Sequence, residues 1–274
     1  MSKLAYLNLG CGATFHEDWT NIDFVSTSKN VIAHNLLQGI PETSNSFEVV
    51  YHSHVLEHFP KTKSIEFLKE CYRVLKPNGI IRIAIPDLEQ ICLNYIKYLN
   101  ESLNSVPGAA EKYNWTMLEL FDQVVRASAG GDMIDYIKDA SKNNDRFLLE
   151  RNGYEVKRIM EMFRKSEDSK IKPSYPIIAR IKSIPTQIKN KTIQLILGKD
   201  YKAYQIGKFR LEGEIHQWMY DRYSLKKLLE DAGFKDIQVK SAFESSIPDW
   251  VKFNLDGNNG IVRKPDSLYM EAIK

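Results

Sequence analysis

The chain has 274 residues, of which 43% are apolar and 27% are charged, and its formal net charge is +3. These values are those of an ordinary folded soluble protein, long enough to bury a sizeable core. Its three scattered cysteines, Cys11, Cys71 and Cys92, are too few for a disulfide framework or a zinc site, which favours a reducing compartment. With no signal-peptide pattern and no apolar run of membrane-spanning length, we expect a cytoplasmic location.

The first ninety residues alternate short strand and helix patterns. Four runs have the composition of strands: Leu4 to Leu9, Thr20 to Phe24, Asn30 to Ala33 and Phe47 to Tyr51. A helical period then extends from Lys63 to Leu75, the turn residues Lys76-Pro77-Asn78-Gly79 stop it, and Ile80 to Ile85 form an apolar strand. A strand, a crossover helix and a second strand predict a parallel sheet with right-handed connections.

The α/β pattern returns near the C-terminus after a long interruption. Ser224 to Ala232 is predicted as a helix, and Ile237 to Val239 and Leu268 to Ile273 are predicted as strands. Helical, basic and irregular sequence precedes them. We therefore predict one domain built from residues 1–92 and 212–274, with residues 93–211 as a mainly helical insertion or lid.

Two glycines follow the first predicted strand. Gly10 and Gly12 allow a ligand to approach the backbone closely because neither has a Cβ, although two glycines can also form a simple tight turn. Asp23 ends the next strand, eleven residues after Gly12, and parallel strands bring their carboxyl ends to one edge of the sheet. A carboxylate there can accept both hydroxyl hydrogens of a ribose; the alternative is a solvent-exposed strand-end cap.

The glycine loop lacks the features that phosphate-bearing cofactors require. Phe15 occupies the third glycine position of the dinucleotide fingerprint, and no Gly-Lys-Ser/Thr sequence is present. A glycine loop and a ribose-binding acid without phosphate-binding groups favour S-adenosylmethionine over NAD.

Four segments carry a family resemblance: Leu7 to Gly12, Asn21-Ile22-Asp23, Ser53 to His58 and Arg73 to Gly79. Together they resemble the S-adenosylmethionine-dependent methyltransferases of the type 11 superfamily, and the segments 213–224 and 263–268 resemble its bacterial branch associated with polysaccharide and surface-glycan biosynthesis. The resemblance covers roughly residues 1–90 and 205–274. It implies the Rossmann-like class I methyltransferase fold, a mostly parallel seven-stranded sheet flanked by helices.

The resemblance also implies which residues hold the cofactor, with some departures from the family pattern. Asn8 stands where an acid is common, Ala13 where a third glycine is common, and Asn35-Leu36 where an Asp-Leu pair commonly approaches the adenine. The Asn35 carbonyl can still accept a hydrogen bond from an adenine amine. The complete predicted set is Asn8, Leu9, Gly10, Cys11, Gly12, Asp23, Asn35, Leu36 and Ser53.

The candidate catalytic residues are three histidines and one aspartate. Methyl transfer from a sulfonium needs orientation above all, and a hydroxyl acceptor also needs a base, for which His54 after the fourth strand is the first candidate. His58 is a second candidate or a packing residue, and the spacing of the two histidines also suggests a metal site, although no third ligand is indicated. Asp87 either contacts substrate or caps the following helix.

A polar and aromatic segment, Glu214 to Asp221, contains the last candidate, His216. Its composition suits sugar recognition by stacking and hydrogen bonding, with His216 as a further candidate base. The alternative is a structural seam that attaches the insertion to the core.

Positive charge is concentrated in residues 157–208. This segment contains thirteen Lys/Arg and four Asp/Glu, which gives it a formal net charge of +9. Ile177, Ile181, Ile184, Ile188 and Leu195 lie there at helical spacing. The three interpretations are a lid packed on the core, contact with a membrane surface or lipid-linked substrate at the inner face of the membrane, and nucleic-acid binding, the least favoured.

The leading functional hypothesis is O-methylation of a sugar or glycan precursor. A nucleic-acid or protein methyltransferase is the enzymatic alternative, but His52-Ser53-His54 stands where methyltransferases of base amino groups carry an Asn/Asp-Pro-Pro-Tyr motif. A non-catalytic module that binds partners through the basic insertion is the alternative from another class. Retention of Gly10, Gly12 and Asp23 argues against it.

Overall fold

The computed structural model describes residues 4–143, 145–168 and 189–274. Its strands are β1 (Tyr6–Leu9), β2 (Thr20–Asp23), β3 (Val31–Ala33), β4 (Phe47–Ser53), β5 (Leu75–Pro86), β6 (Lys235–Lys240), β7 (Gly257–Asn258), β8 (Ile261–Val262) and β9 (Ser267–Ile273). Its helices are α1 (Lys61–Val74), α2 (Leu88–Leu103), α3 (Ala109–Val125), α4 (Gly131–Asn143), α5 (Arg146–Asp168), α6 (residues 189–197), α7 (Tyr201–Arg210) and α8 (Arg222–Ala232).

Seven of the described strands form one sheet in the order β3-β2-β1-β4-β5-β9-β6. The pairs from β3 to β5 are parallel, whereas β9 runs antiparallel to both of its neighbours. The order reverses between β1 and β4, and parallel sheets bind ligands at the carboxyl ends of the strands at such a point. The predicted Rossmann-like class I methyltransferase fold is confirmed.

Helix α1 shows how the sequence pattern maps onto the core. Its buried face is centred on Phe67, Leu68 and Cys71, whereas Ile65 and Tyr72, which also follow the helical period, are only partly buried. The helix ends at Val74 and the chain passes directly into β5. In place of the predicted turn, Asn78 adopts a left-handed conformation (φ 63°) within that strand. The register between β4 and β5 shifts there.

The helices α2 to α5 form a second layer with a separate hydrophobic cluster, around Trp115, Leu148 and Met160. Four isoleucines of the predicted amphipathic stripe, Ile177, Ile181, Ile184 and Ile188, lie outside the described residues. Leu195 is described, and its side chain is exposed in α6. In the described part of the chain, no helix is both long enough and apolar enough to cross a membrane.

A fully buried arginine connects the C-terminal segment to the sheet. Arg82 on β5 donates from Nε to Asp256 Oδ2 and from Nη1 to Glu271 Oε1, both at 2.7 Å. Its Nη2 donates to the carbonyl oxygen of Ser241 at 2.8 Å, and Tyr51 donates to the second Asp256 oxygen at 2.6 Å. The network joins β4, β5 and β9 to the chain between β6 and β7.

Substitution Arg82→Met should lower the free energy of unfolding by about 3–5 kcal/mol, because it leaves two buried carboxylates without their cation. Urea denaturation followed by circular dichroism measures this. The matched control is Arg222→Met, which removes an exposed pair with Glu89 and should cost less than about 1 kcal/mol. Equal losses in the two variants would contradict a stabilising role of the buried network.

Candidate functional site

The glycine loop after β1 is held against the neighbouring strands. Gly10 and Gly12 both have positive φ, 62° and 54°, and the Gly10 amide donates to the carbonyl oxygen of Ile22 at 2.8 Å. A Cβ at Gly10 would lie 2.3 Å from Cγ2 of Val55, whereas a Cβ at Gly12 would meet nothing within 4 Å. The backbone at Gly12 is therefore open to a ligand, whereas Gly10 is packed against Val55.

Asp23 lies beside this loop. Its Oδ2 accepts a hydrogen bond from the Gly12 amide at 2.7 Å, and its Oδ1 lies 3.3 Å from the amide of Val25. A carboxylate has about four lone-pair sites, so acceptor capacity remains for the two hydroxyls of a ribose. Asp23, Gly10, Asn35 and Leu36 line one cleft of about 250 Å³.

Asn35 has a local role that the sequence analysis did not predict. Its Oδ1 caps the short 3-10 helix Leu36–Gln38 by accepting from the Leu37 amide at 3.0 Å. The carbonyl expected to face an adenine amine is thus already engaged, with one lone pair left, and the NH₂ group remains for an adenine ring nitrogen. Leu36 and Leu37 supply apolar surface in the same cleft.

Most of the predicted cofactor residues from β1, the loop after it and β4 line a second cleft, and one of them is buried in the core. Gly10, Gly12, Cys11, Asn8 and Ser53 line a second cleft of about 410 Å³. Asn8 also donates to the Thr14 carbonyl and to Asn21 Oδ1, both at 3.3 Å, and so braces the loop from within. Leu9 is fully buried in the core and lines none of the described clefts, because alternate side chains of β1 point to opposite faces of the sheet.

The residues present fit the cofactor that the family resemblance implies. A carboxylate at the end of β2 suits a ribose diol, apolar Leu36 and Leu37 suit a purine face, and the bare backbone at Gly12 admits the amino-acid portion of the cofactor. Both clefts include Gly10 and His54, so one extended ligand can occupy them together.

His54 has an unusual position and conformation. It follows β4 with φ 54°, a left-handed conformation, and it lines both clefts described above as well as a third one. Its Nε2 lies 2.8 Å from Ser267 Oγ, and its Nδ1 lies 3.4 Å from Glu57 Oε1. Burial holds the pKa of His54 well below its usual range, so the ring is neutral near pH 7.

His58 and His216 come together although 158 residues separate them. Their rings pack edge to face with centroids 5.0 Å apart, and His58 Nδ1 lies 3.0 Å from the carbonyl oxygen of Ile215. Burial lowers the pKa of both imidazoles. Nothing in their spacing along the chain indicates this contact.

Glu57 was missed by the sequence analysis. Its side chain is 1% exposed and lies beside His58 and His216, and burial raises its pKa to about 8. The signal was its place in the run Ser53 to His58, where an acid directly precedes a candidate histidine. The sequence left the His54/His58 pair without a third metal ligand, whereas the fold assembles a different trio.

Asp87 caps a helix. Its Oδ1 accepts from the Gln90 amide at 3.2 Å at the start of α2, and it lines none of the described clefts. Of the two interpretations that the sequence left open, the geometry supports the cap.

The segment from Glu214 to Asp221 attaches the helical layer to the sheet. Glu214 Oε1 accepts from Arg126 Nη1 at 3.0 Å, and the amides of Gln217 and Trp218 donate to the carbonyl oxygen of Glu57 at 2.7 and 3.3 Å. The Tyr220 hydroxyl donates to Ser64 Oγ at 2.8 Å. Most of this segment therefore acts as the structural attachment that the sequence suggested as an alternative. His216 differs, because its ring packs against His58.

The third cleft, of about 220 Å³, is the candidate acceptor pocket. It begins at His54 and extends between the sheet edge and helices α3 to α5. Four of its residues have a buried polar atom with no hydrogen-bond partner among the described residues: Nε1 of Trp115, Nε of Arg126, Oδ1 of Asn152 and Oδ1 of Asp266. Lys264 also lines this cleft, as it does the 410 Å³ cleft.

One family model and several solved structures are similar to this chain. Residues 7–83 match the family model described as a methyltransferase domain, and no curated protein matches the chain. Similar solved structures include a SAM-dependent methyltransferase, possible histamine N-methyltransferase, from Thermotoga maritima, with 11% identity over 100% of this chain and 84% of that chain and a TM-score of 0.39. Another is a SAM-dependent methyltransferase from Archaeoglobus fulgidus, with 12% identity over 100% and 87% and a TM-score of 0.38. A third, from Aquifex aeolicus, has 20% identity over 31% of this chain and 57% of that chain and a TM-score of 0.26.

The two glycines provide a matched pair of substitutions. Gly10→Ala and Gly12→Ala both place an alanine in the left-handed region, at a cost of about 1–2 kcal/mol each. Only Gly10→Ala adds an overlap with Val55, so thermal denaturation should show a larger loss of stability for that variant. In Gly12→Ala the new methyl enters the open cleft, and S-adenosylmethionine affinity should fall at least about tenfold by calorimetry, or about 1.4 kcal/mol. Equal stabilities together with unchanged affinity would contradict this geometry.

The family match spans β1 to β5, the half of the sheet that carries the glycine loop, Asp23 and the Asn35 cleft. The geometry of those residues and the match agree on the same ligand. Residues 7–83 match a methyltransferase domain, and S-adenosylmethionine is the cofactor that this match and the geometry of the site imply.

Proposed function

We propose that the protein catalyses S-adenosylmethionine-dependent O-methylation of a polyhydroxylated small molecule, a sugar or glycan precursor. The observation that carries this proposal is the set of unpartnered buried polar atoms in the acceptor pocket, on Trp115, Arg126, Asn152 and Asp266. Buried polar atoms normally have hydrogen-bond partners. A polyol can satisfy both the two N–H donors, on the indole and the guanidinium, and the two carbonyl or carboxylate acceptors, because each hydroxyl both donates and accepts.

The helical layer supplies much of the pocket wall. Trp115 and Glu119 come from α3, Asn152 comes from α5, and these residues belong to the predicted insertion 93–211. Asn152 Nδ2 donates to Asp266 Oδ2 at 3.0 Å, which connects α5 to the turn before β9. We propose that the insertion selects the acceptor and that residues 1–92 and 212–274 form the domain that binds the cofactor.

The cofactor supplies an electrophilic methyl group on a sulfonium. The protein has to place a hydroxyl in line with that group and keep water away, since orientation and exclusion of water lower the barrier to transfer. His54 lines both the cofactor clefts and the acceptor pocket, so the transferred group would pass beside it. This position makes His54 the candidate base for the hydroxyl proton.

Cofactor binding is tested first, by calorimetry with S-adenosylmethionine and with NAD. Asp23→Ala should weaken S-adenosylmethionine binding about 10–100-fold, because hydrogen bonds to a charged group are worth about 1.5–3 kcal/mol. Asp23→Asn retains an acceptor for the Gly12 amide and should lose less. Glu17→Ala, which removes an exposed charge, serves as the control and should bind as the wild type does. Wild-type binding of NAD in place of S-adenosylmethionine would overturn the proposal.

Acceptor specificity is tested by measuring S-adenosylhomocysteine formation with panels of nucleotide sugars, free sugars, transfer RNA and peptides. We expect turnover only with the carbohydrate panels, and mass spectrometry should locate the new methyl on oxygen. Asn152→Ala should raise KM for that acceptor at least about tenfold, because it removes a buried hydrogen-bonding group of the pocket, while leaving S-adenosylmethionine affinity unchanged. Turnover with RNA or peptide alone would refute the acceptor class.

A further inference from the structure

A compact trio of potential metal-binding side chains lies next to His54, a residue that lines the acceptor pocket. Glu57, His58 and His216 each offer one ligand atom, and these atoms lie within 4.8 Å of one another. Glu57 and His58 belong to the short 3-10 helix Leu56–His58 after β4, and His216 belongs to the segment that joins α7 to α8. The amides of Gln217 and Trp218, bonded to the Glu57 carbonyl oxygen, hold the two segments together.

The trio leaves polar atoms unsatisfied. Both carboxylate oxygens of Glu57 and the Nδ1 atom of His216 are buried without a hydrogen-bond partner in the described part of the chain. Glu57 is 1% and His216 is 2% exposed, so solvent does not replace those partners. An unpaired buried carboxylate is costly, and the nearest ion-pair contact described for Glu57 is His54 Nδ1 at 3.4 Å.

His58 is oriented as metal-binding histidines are. Its Nδ1 lies 3.0 Å from the carbonyl oxygen of Ile215. A carbonyl oxygen only accepts, so this nitrogen carries the proton and the Nε2 lone pair is left for a ligand. Histidines that bind metals commonly donate their second ring N–H to a backbone carbonyl in this way.

We propose that Glu57, His58 and His216 bind one divalent transition-metal ion. Two imidazole nitrogens and one carboxylate form a set found in zinc enzymes that keep an open coordination position, whereas magnesium and calcium prefer oxygen ligands throughout. Ligand atoms at about 2.1 Å from zinc are about 3.4 Å apart in a tetrahedron, so the trio needs to close by no more than about 1.4 Å.

The position of the ion gives it a role in the proposed reaction. His54 contacts Glu57 and lines the acceptor pocket, so the open coordination position would lie beside the acceptor. There the ion would bind and orient the acceptor hydroxyl. This role rests on the proposed methyl transfer, whereas metal binding itself does not.

The test begins with the metal content of the purified full chain. After the protein is stripped with a chelator and dialysed, we expect it to take up one equivalent of Zn²⁺, measured by competition with a chromophoric chelator. His216→Ala and Glu57→Gln should each weaken Zn²⁺ binding by at least about 100-fold, since changes even to groups that only support ligands cost about 10–100-fold. The control is His16→Ala, which removes a histidine outside the trio and should leave the affinity unchanged.

Two further measurements keep the proposal falsifiable if a variant folds poorly. Co²⁺ added to the stripped wild type should give visible absorption bands that Zn²⁺ displaces. S-adenosylmethionine titration of each protein reports separately on the methyltransferase domain. Failure of the wild type to bind Zn²⁺ or Co²⁺, or binding of Mg²⁺ alone, would overturn the metal site even where S-adenosylmethionine binds normally. If the untreated wild type does not bind S-adenosylmethionine, the proposed function is overturned and not the metal site.

Discussion

The buried guanidinium of Arg82 is the constraint on which the rest of the structure depends. A charge removed from water is tolerated only where hydrogen bonds and opposite charges surround it, and Arg82 meets two carboxylates and backbone carbonyls. Those partners come from β9 and from the chain between β6 and β7, so the antiparallel end of the sheet is specified by one residue of β5. Asp256, held in this way, also lines the cleft at the glycine loop.

Buried polar groups are also found at the carboxyl edge of the sheet, where the clefts lie. The clefts for the cofactor and the acceptor all include His54, whose left-handed backbone directs the chain into the short helix that carries Glu57 and His58. The segment from Glu214 to Asp221 then brings His216 to the same point. Buried polar atoms without partners accumulate here, on Glu57, His216, Asn152 and Asp266, whereas Arg82 elsewhere in the sheet is well bonded. Buried polar groups normally have hydrogen-bond partners, so these unpaired groups can bind a ligand.

The helical layer is attached to the sheet by hydrogen bonds at several points. Asn152 bridges Glu119 of α3 and Asp266 before β9, and the chain at Gly153 turns sharply against the Arg263 carbonyl, to which the Tyr154 amide donates at 3.0 Å. These contacts place the walls of the proposed acceptor pocket relative to the cofactor clefts.

The sequence by itself determined the α/β rhythm, the parallel sheet, the glycine loop and the strand-end acid, because each depends on local period, on turn chemistry or on the rule that parallel strands end at one edge. It also predicted His54 as a candidate base, because this residue directly follows a strand. Only the tertiary structure decided that Leu9 faces the core, that the Asn35 carbonyl caps a helix, and that Asp87 does the same at α2. It alone joined Glu57 and His58 to His216, because a contact across 158 residues depends on how the helical layer docks on the sheet and leaves no local pattern in the chain.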